Sequence, residues 1–157
     1  MLGFFEGGVL RHDEPPDQPA DEPRFVPVIE VIFIRQPHGA VFEGSHDVPF
    51  DIKRIYYIHG APKGTHRGGH AHKALRQVLW CPYGSIRIRL DNGREKADVL
   101  LDSPDKGLIV EHYMWREMIW EKKDSVLCVA ADSYYDESDY IRDYDEFLEA
   151  VKGKDLD

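Results

Sequence analysis

The sequence predicts an all-β domain, a sandwich or barrel of short antiparallel strands followed by one short C-terminal helix. Stretches rich in Val, Ile, Leu and aromatic residues recur along the chain from residue 26 onward, with turn signals about every eight to twelve residues. Between two of these stretches, Asp91-Asn92-Gly93 predicts a hairpin, because Asn-Gly supplies the positive φ that a tight turn requires. Helical spacing of apolar residues is confined to residues 143–154, and no internal repeat, P-loop or dinucleotide-binding glycine pattern is present.

We expect strands within five segments, in chain order 26–35, 52–60, 75–101, 107–121 and 124–135. The third segment is long enough for three strands joined by a turn and by the hairpin. Within it, residues 86–90 alternate cleanly, with Ile86, Ile88 and Leu90 on one face and arginines on the other. The helix is expected to bury Tyr144, Phe147, Leu148 and Val151 and to stop at Gly153.

Composition and charge limit the function classes. The chain has 157 residues, enough for one domain with a real core, and is 42% hydrophobic. Residues 1–24, rich in prolines and acids from residue 11 onward, are expected to form a flexible arm attached to a domain of residues 25–157. The net charge of −9 argues against nucleic-acid binding, although a local cluster of cations could still hold a small anion.

The cysteines and the hydropathy of the chain indicate the cellular compartment. No apolar run approaches the length of a membrane span, and the first residues do not follow the pattern of a secretory signal. Cys81 and Cys128 both lie within apolar runs, so we expect them to be reduced core residues of a cytoplasmic protein.

The pair His70 and His72 is the main candidate for chemistry. Alternation in an extended strand puts both side chains on one face, about 7 Å apart along the backbone. A metal, a substrate or ordinary core packing with satisfied hydrogen bonds could each explain such a pair. Their setting resembles the first signature of the cupins, with Gly64 before the pair and Gly84 after it.

The same resemblance argues against a metal. A typical cupin metal is held by three histidines and a glutamate, but Gln77 occupies the glutamate position and Arg116 the position of the third histidine. A guanidinium stays protonated, has no lone pair to give and repels a divalent ion. We therefore expect no metal and no cofactor, with His112 as the one nearby residue that could substitute as a ligand.

Without a metal, two histidines beside arginines favour proton transfer on an anionic substrate, since the unperturbed pKa of imidazole suits that work near neutral pH. Alternation also puts Arg54 and Tyr56 on one face of the second strand. Arg54 is either an exposed residue of an edge strand or an inward cation that meets a charged ligand. Arg67 and Lys73 flank the histidine pair, where they either hold phosphate oxygens or are solvated.

Five ordered segments make a more specific resemblance. They are "PFDIKRIYYI", "RGGHAHKALRQVL", "LDSPDKGLIV", "WREM" and "ADSYYDESDYIRDYDEF", which lie within residues 49–147. The resemblance as a whole runs from about Val26 to Leu148. They resemble the sugar 3,4-ketoisomerases of the cupin superfamily, which act on dTDP-4-keto-6-deoxyglucose in deoxysugar biosynthesis. The resemblance implies a metal-free cupin barrel, that is, a jelly roll or double-stranded β-helix. It also implies a homodimer that exchanges β-strands between its subunits.

The resemblance also implies residue roles. His70 maps onto the catalytic base, and His72, Tyr56 and Arg54 map onto polar residues beside it. The family varies at the positions of Arg116 and His38, close to the sugar, and Arg116 favours the gluco over the galacto product. Three alternatives to the ketoisomerase function remain open. They are an epimerase of related dTDP-4-keto sugars, a non-catalytic nucleotide-sugar-binding cupin and a metal-dependent cupin oxygenase.

Overall fold

The computed structural model describes residues 48–154 and the backbone of residues 29–33, and they form two antiparallel five-stranded sheets and a C-terminal helix. The strand order is β1-β7-β4-β9-β2 in sheet one and β10-β3-β8-β5-β6 in sheet two. The elements are β1 (Ile29–Phe33), β2 (Arg54–Ile58), β3 (His66–His72), β4 (Gln77–Tyr83), β5 (Ile86–Asp91), β6 (Lys96–Leu101), β7 (Lys106–Val110), β8 (Trp115–Trp120), β9 (Val126–Ala131), a 3-10 turn (Glu137–Asp139), β10 (Tyr140–Ile141) and α1 (Tyr144–Val151). The all-β prediction with one terminal helix is confirmed. The predicted arm of residues 1–24 and His38 lie outside the described residues.

Each predicted strand segment contains the strands expected of it, and the 75–101 segment contains three. The hairpin between β5 and β6 differs in one detail. Asp91 pairs with Lys96, so the connection has four residues and not two. Gly93 has the expected positive φ of 87°, while the Asn92 side chain accepts the amide hydrogens of Arg94 and Glu95. The asparagine therefore holds the loop through its side chain instead of supplying a second positive φ.

The main core lies between the two sheets. Alternation turns Ile86, Ile88 and Leu90 inward from β5, as predicted, and all three are buried. The largest buried side chain is Trp120, whose indole nitrogen donates to the Ser125 carbonyl at 2.9 Å. Such burial of aliphatic and aromatic side chains is the main stabilising term of the barrel.

The two cysteines differ in environment. Cys81 is buried in the main core, as predicted, whereas Cys128 is half-buried and paired with Tyr57, whose side chain is exposed on the outside of sheet one. Both are free thiols. Within residues 29–33 and 48–154, no helix is long and apolar enough to cross a membrane.

A second, smaller core attaches the helix to the edge of sheet two. Asp143 caps α1 by accepting the Glu146 amide hydrogen at 2.9 Å, which satisfies one of the free donors of the first turn. From α1, Phe147 and Val151 are buried against Trp115 and Ile141. This packing holds the short strand β10 beside β3, the strand that carries the histidine pair.

Candidate active site

The two histidines lie side by side, as alternation predicts. Their ring centroids are 5.0 Å apart and the ring planes are nearly perpendicular, at 85°. His72 is buried, and His70 is half-buried. The Tyr140 ring, carried by β10, lies 5.0 Å from the His70 ring and 4.3 Å from the His72 ring. Three aromatic rings thus form one compact cluster at the edge of sheet two.

A β-bulge positions His70. The register between β3 and β8 shifts between Gly68 and His70, after which His70 is paired with Arg116. Gly68 has a φ of +89°, and a Cβ at this position would lie 2.6 Å from the Arg116 carbonyl oxygen. Glycine is therefore required for both conformation and close approach, and it brings the imidazole opposite the arginine.

His72 is held by a carboxylate. Its Nδ1 lies 3.0 Å from Oδ2 of Asp139, and the other carboxylate oxygen accepts the Ala74 amide hydrogen at 2.8 Å. A carboxylate can only accept, so the hydrogen-bond network assigns the imidazole proton to Nδ1. Nε2 is then the unprotonated nitrogen, and it is buried without a partner.

A second hydrogen-bond chain links the two sheets. The Arg116 side chain is buried and donates from Nη1 to Oε1 of Gln77 at 3.2 Å. The Gln77 amide nitrogen donates to the Tyr56 hydroxyl at 3.2 Å. Arg116 also donates from Nη2 to the Glu111 carbonyl at 3.4 Å. The guanidinium is thus fixed by neutral acceptors, and among the described residues no carboxylate is hydrogen-bonded to it.

Arg54 faces inward from the edge strand β2, with Tyr56 on the same face, so the inward alternative for Arg54 is the one observed. Its guanidinium lies 5.3 Å from the centre of the Tyr56 ring and 5.7 Å from that of Tyr135. Contact of a cation with aromatic faces stabilises it but leaves its hydrogen-bond donors free.

Unpartnered polar atoms are concentrated here. Within the described ranges, the buried side-chain nitrogens and oxygens without a hydrogen-bond partner are Arg54 Nε, His72 Nε2 and Arg116 Nε. Leaving a buried polar group unpaired costs roughly 1–3 kcal/mol, more for a charged group. Two cationic donors and one imidazole acceptor of this kind indicate a site that a polar, anionic ligand completes.

The protonation states suit general-base chemistry. Burial, assisted by the nearby Arg116 charge, lowers the pKa of His70 to about 4. The same two causes lower the pKa of His72 below its usual value, although its bond to Asp139 acts in the opposite direction. Burial lowers the pKa of Arg116 to about 10 and raises that of Tyr56, so both keep their protons at neutral pH. The site then holds two neutral imidazoles beside a cation.

The described residues do not offer a ligand set for a metal ion. No group of three or more His, Cys, Asp or Glu side chains among them lies close enough to hold a metal ion. His112, the possible substitute ligand, is exposed, and its Nδ1 lies 3.7 Å from a Glu111 oxygen. The Arg116 guanidinium instead lies beside the histidine pair, where its charge would repel a divalent cation.

Five of the eight predicted site residues come together, namely Arg54, Tyr56, His70, His72 and Arg116. The structure does not bring Arg67 or Lys73 to them. Arg67 is exposed on β3 opposite Met118, and the Lys73 ammonium donates to the Ser138 carbonyl at 3.0 Å.

Sequence reasoning missed Asp139 and Tyr140. Both lie in the segment 131–145, whose many Tyr and Asp residues are typical of a paired surface turn leading into the helix. The signal that could have indicated their position is Ile141, an apolar residue within a run of charges, which is buried when β10 pairs with β3.

Comparison with known proteins gives a consistent family assignment. Residues 27–152 match the model of the family described as "FdtA: WxcM-like, C-terminal". A curated relative from Aneurinibacillus thermoaerophilus, a TDP-4-oxo-6-deoxy-alpha-D-glucose-3,4-oxoisomerase, is 47% identical over 109 residues, 69% of this chain and 78% of the relative.

Two solved structures extend the comparison. The first is the 3,4-ketoisomerase QdtA from Thermoanaerobacterium thermosaccharolyticum, as a histidine-to-asparagine variant in complex with TDP-4-keto-6-deoxyglucose. It is 39% identical with a TM-score of 0.77 and covers 85% of this chain and 100% of its own. The second is the WlaRB TDP-quinovose 3,4-ketoisomerase from Campylobacter jejuni, 39% identical with a TM-score of 0.72, covering 79% of this chain and 99% of its own. The chain therefore belongs to the FdtA family, and its resemblance to the cupin-fold sugar 3,4-ketoisomerases is confirmed.

Proposed function

We propose that this protein converts dTDP-4-keto-6-deoxyglucose to a dTDP-3-keto-6-deoxyhexose by acid–base enolisation without a metal. The observation that carries the proposal is the His70–His72 pair, with rings 5.0 Å apart and low pKa values, beside the buried cation of Arg116. Relatives that are 47% and 39% identical are named for this ketoisomerisation, which supports the same substrate here.

The reaction needs one base and donors for an enolate oxygen. The ketone at C4 acidifies the hydrogen on C3. In our proposal His70 removes that proton, and the electron pair of the C3–H bond forms the C3–C4 double bond while O4 becomes an oxyanion. Protonation of O4 gives the enediol. Loss of the proton from the C3 hydroxyl and protonation at C4 then leave a ketone at C3 and a hydroxyl at C4, so the two protons removed from C3 and O3 are balanced by two added at O4 and C4. Every atom is conserved, and no external oxidant or reductant is required.

The candidate donors to the enolate oxygen are Tyr56 and Arg116. The resemblance also suggested His72, but its proton is directed to Asp139, so its Nε2 can only accept a proton. Tyr56 and Arg116 keep their protons at neutral pH, because burial raises the pKa of the phenol and leaves that of the guanidinium at about 10. Preorganised donors of this type contribute roughly 3–4 kcal/mol each to the transition state. General-base catalysis by His70 would add on the order of 10²–10⁴-fold in rate.

The residues at the positions of the cupin metal ligands support a mechanism without a metal. Gln77 replaces the acidic ligand of a metal-binding cupin and accepts a hydrogen bond from Arg116. A guanidinium offers no lone pair, and its charge opposes binding of a divalent cation next to the two imidazoles. The cation can itself stabilise the oxyanion that a metal would otherwise polarise.

The substrate carries a diphosphate, and three cations were predicted to bind a charged ligand. Of these, Arg54 is the one we assign to the diphosphate. It is half-buried and keeps its Nε donor free, whereas Arg67 and Lys73 are exposed and would reach a ligand only at the rim. Contact with a diphosphate would supply binding energy remote from the reacting carbons, which positions the sugar ring over His70.

The gluco configuration is the proposed product at C4. Arg116 is buried beside the imidazoles, so it can influence the face from which the proton returns. The similarity to the TDP-quinovose 3,4-ketoisomerase is in agreement, since quinovose is 6-deoxyglucose. His38 is a further candidate for this selection.

A homodimer with exchanged strands in the cytoplasm completes the proposal. Ile55 and Tyr57 expose 62% and 64% of their surface on the outer side of β2, an edge strand of sheet one. A second copy covering this patch would remove large apolar groups from water. The two free thiols agree with a reducing compartment.

The test is to incubate the purified protein with dTDP-4-keto-6-deoxyglucose and to record NMR spectra of the sugar. The proposal predicts that the ketone moves to C3 and that C4 acquires an equatorial hydroxyl. A ketone that stays at C4 with an inverted centre elsewhere would identify an epimerase. Unchanged sugar with saturable dTDP binding would identify a binding protein, and stoichiometric iron or manganese with oxidised product would identify an oxygenase.

A further inference from the structure

Gln77 lies between two proposed donors to the enolate and bonds to both. It is the first residue of β4, buried at the centre of sheet one, where it pairs with Val110 on one side and with Ala131 on the other. We propose that Gln77 is a positioning residue that fixes the direction in which the Tyr56 hydroxyl donates its proton. This inference rests on the proposed ketoisomerase function.

Hydrogen-bond accounting determines how the amide is oriented. The guanidinium of Arg116 can only donate, so the side-chain oxygen of Gln77 must face it, at 3.2 Å. The amide nitrogen of Gln77 is then turned toward the Tyr56 hydroxyl, also at 3.2 Å, and can only donate to it. The phenol oxygen is therefore an acceptor in this contact.

The proton of Tyr56 is consequently free for another partner. A hydroxyl that accepts from Gln77 directs its own O–H elsewhere, and burial keeps the phenol protonated by raising its pKa. Tyr56, Arg54 and the histidine pair belong to one site, so an oxygen of the bound sugar can accept this proton. The fixed position of the Arg116 guanidinium thus sets the orientation of the Gln77 amide, and the amide in turn sets the direction in which the Tyr56 hydroxyl donates its proton.

The fold makes this bridge possible. Gln77 and Arg54 are both paired with Ala131, on either side of β9, and Tyr56 is paired with Val129. Because Ala131 carries only a methyl group, the Gln77 amide can cross β9 and reach the Tyr56 hydroxyl. A central strand with partners on both sides holds the amide more rigidly than a loop would.

A carboxylate at this position would reverse the arrangement. Glutamate has nearly the shape of glutamine but can only accept, so it would draw the Tyr56 proton toward itself and away from the sugar. It would also form an ion pair with Arg116 and neutralise the charge that, after burial, lowers the histidine pKa values. The inference therefore explains why the amide, and not the acid, serves in a site that works without a metal.

The experiment is a double-mutant cycle of Gln77→Glu with Tyr56→Phe, measured by steady-state kinetics on dTDP-4-keto-6-deoxyglucose. In the wild-type background, Gln77→Glu is expected to lower kcat by on the order of 10²-fold, the size of a lost oxyanion donor, with little change in KM. In the Tyr56→Phe background the same change should cost far less, since the hydroxyl it redirects is already absent. Equal losses in both backgrounds, or an unchanged kcat for Gln77→Glu, would overturn the inference.

Further readouts separate positioning from a structural role. Gln77→Met, of similar size and without hydrogen bonds, should keep a higher kcat than Gln77→Glu, because its Tyr56 proton is not drawn away. A purely structural role predicts the reverse order, since glutamate retains the bond to Arg116. If Gln77→Glu melts below the assay temperature, the cycle with Gln77→Met decides, and equal losses in both backgrounds again overturn the inference.

The acid limb of kcat/KM should also move to higher pH in Gln77→Glu, because the added negative charge raises the pKa of His70. A wild-type protein without ketoisomerase activity would refute the proposed function itself, and the assignment of Gln77 with it. An active wild type with an unaffected Gln77→Glu variant would refute the assignment alone.

Discussion

At the scale of single residues, the electrostatics of His70 determine when the site can act. Its pKa is lowered to about 4, first by burial and then by the charge of Arg116. The neutral form, which is the base, therefore predominates at pH 5 and above. Burial of the imidazole and the cation beside it therefore keep His70 in the form that can accept a proton.

The pH dependence of kcat/KM tests this electrostatic account, because it reports the free enzyme. We expect kcat/KM to stay level down to about pH 5 and to fall as the pH approaches 4, where protonation removes the base. In Arg116→Gln the positive charge that disfavours protonation of His70 is gone. The pKa of His70 therefore rises, and kcat/KM begins to fall at a higher pH. An acid limb that keeps its position in Arg116→Gln would contradict the role of the cation.

Sequence reasoning predicted which of the candidate site residues share a face, but it did not predict the partners that hold them. Alternation alone put His70 and His72 on one face, and Arg54 with Tyr56 on another, because strand geometry fixes those relations locally. Asp139 lies 67 residues from His72 in sequence, and no local pattern connects the two. The role of Gln77 likewise depends on two strands meeting in space.

At the scale of elements, the bulge in β3 positions His70, the proposed base. Gly68→Ala is expected to destabilise the fold by about 2–4 kcal/mol, combining the strain of a positive φ with a Cβ 2.6 Å from the Arg116 carbonyl oxygen. Gly64→Ala is the matched control, because Gly64 has a similar φ of +82° but open space around its Cβ position. Denaturant unfolding and kcat of the two variants measure the difference. Equal destabilisation by both would show that the close approach to β8 does not matter.

The helix α1 packs against β10 and holds that strand in place beside the histidine pair. Phe147 is fully buried against Trp115 and Ile141, so Phe147→Ala should cost about 3–5 kcal/mol of unfolding free energy. Activity should fall as well, since β10 carries Tyr140 and follows directly on Asp139, the partner of His72. The control is Ile86→Ala in the main core, for which we expect a loss of stability but a retained kcat below the melting temperature. Equal effects of the two variants on kcat would argue against a specific role for the helix.

Most strands were predictable because each lies in an apolar or alternating run of five or more residues that is bounded by turn signals. The strand β10 was not, since Tyr140–Ile141 is too short to show a period and exists only by pairing with β3. The hairpin after β5 was located correctly, and the Asn92 side chain stabilises a four-residue loop, a length that the Asn-Gly pair alone does not specify.

At the scale of the whole molecule, the outer face of β2 predicts self-association. Sedimentation equilibrium should give twice the chain mass of 18.1 kDa, because the exposed Ile55 and Tyr57 form an apolar patch on an edge strand. Ile55→Glu should shift the mass toward one chain, whereas Lys53→Glu on the same strand segment should not. A wild-type protein that sediments as a single chain would exclude the dimer.

The central claim is that His70 moves a proton between two carbons of a sugar. The most direct measurement is to incubate the wild type and His70→Asn with dTDP-4-keto-6-deoxyglucose in D₂O and to follow C3 and C4 of the sugar by NMR. We predict a 3-keto product with deuterium at C4 for the wild type. For His70→Asn we predict unchanged sugar that still binds. A 3-keto product formed at an undiminished rate by His70→Asn would contradict the account.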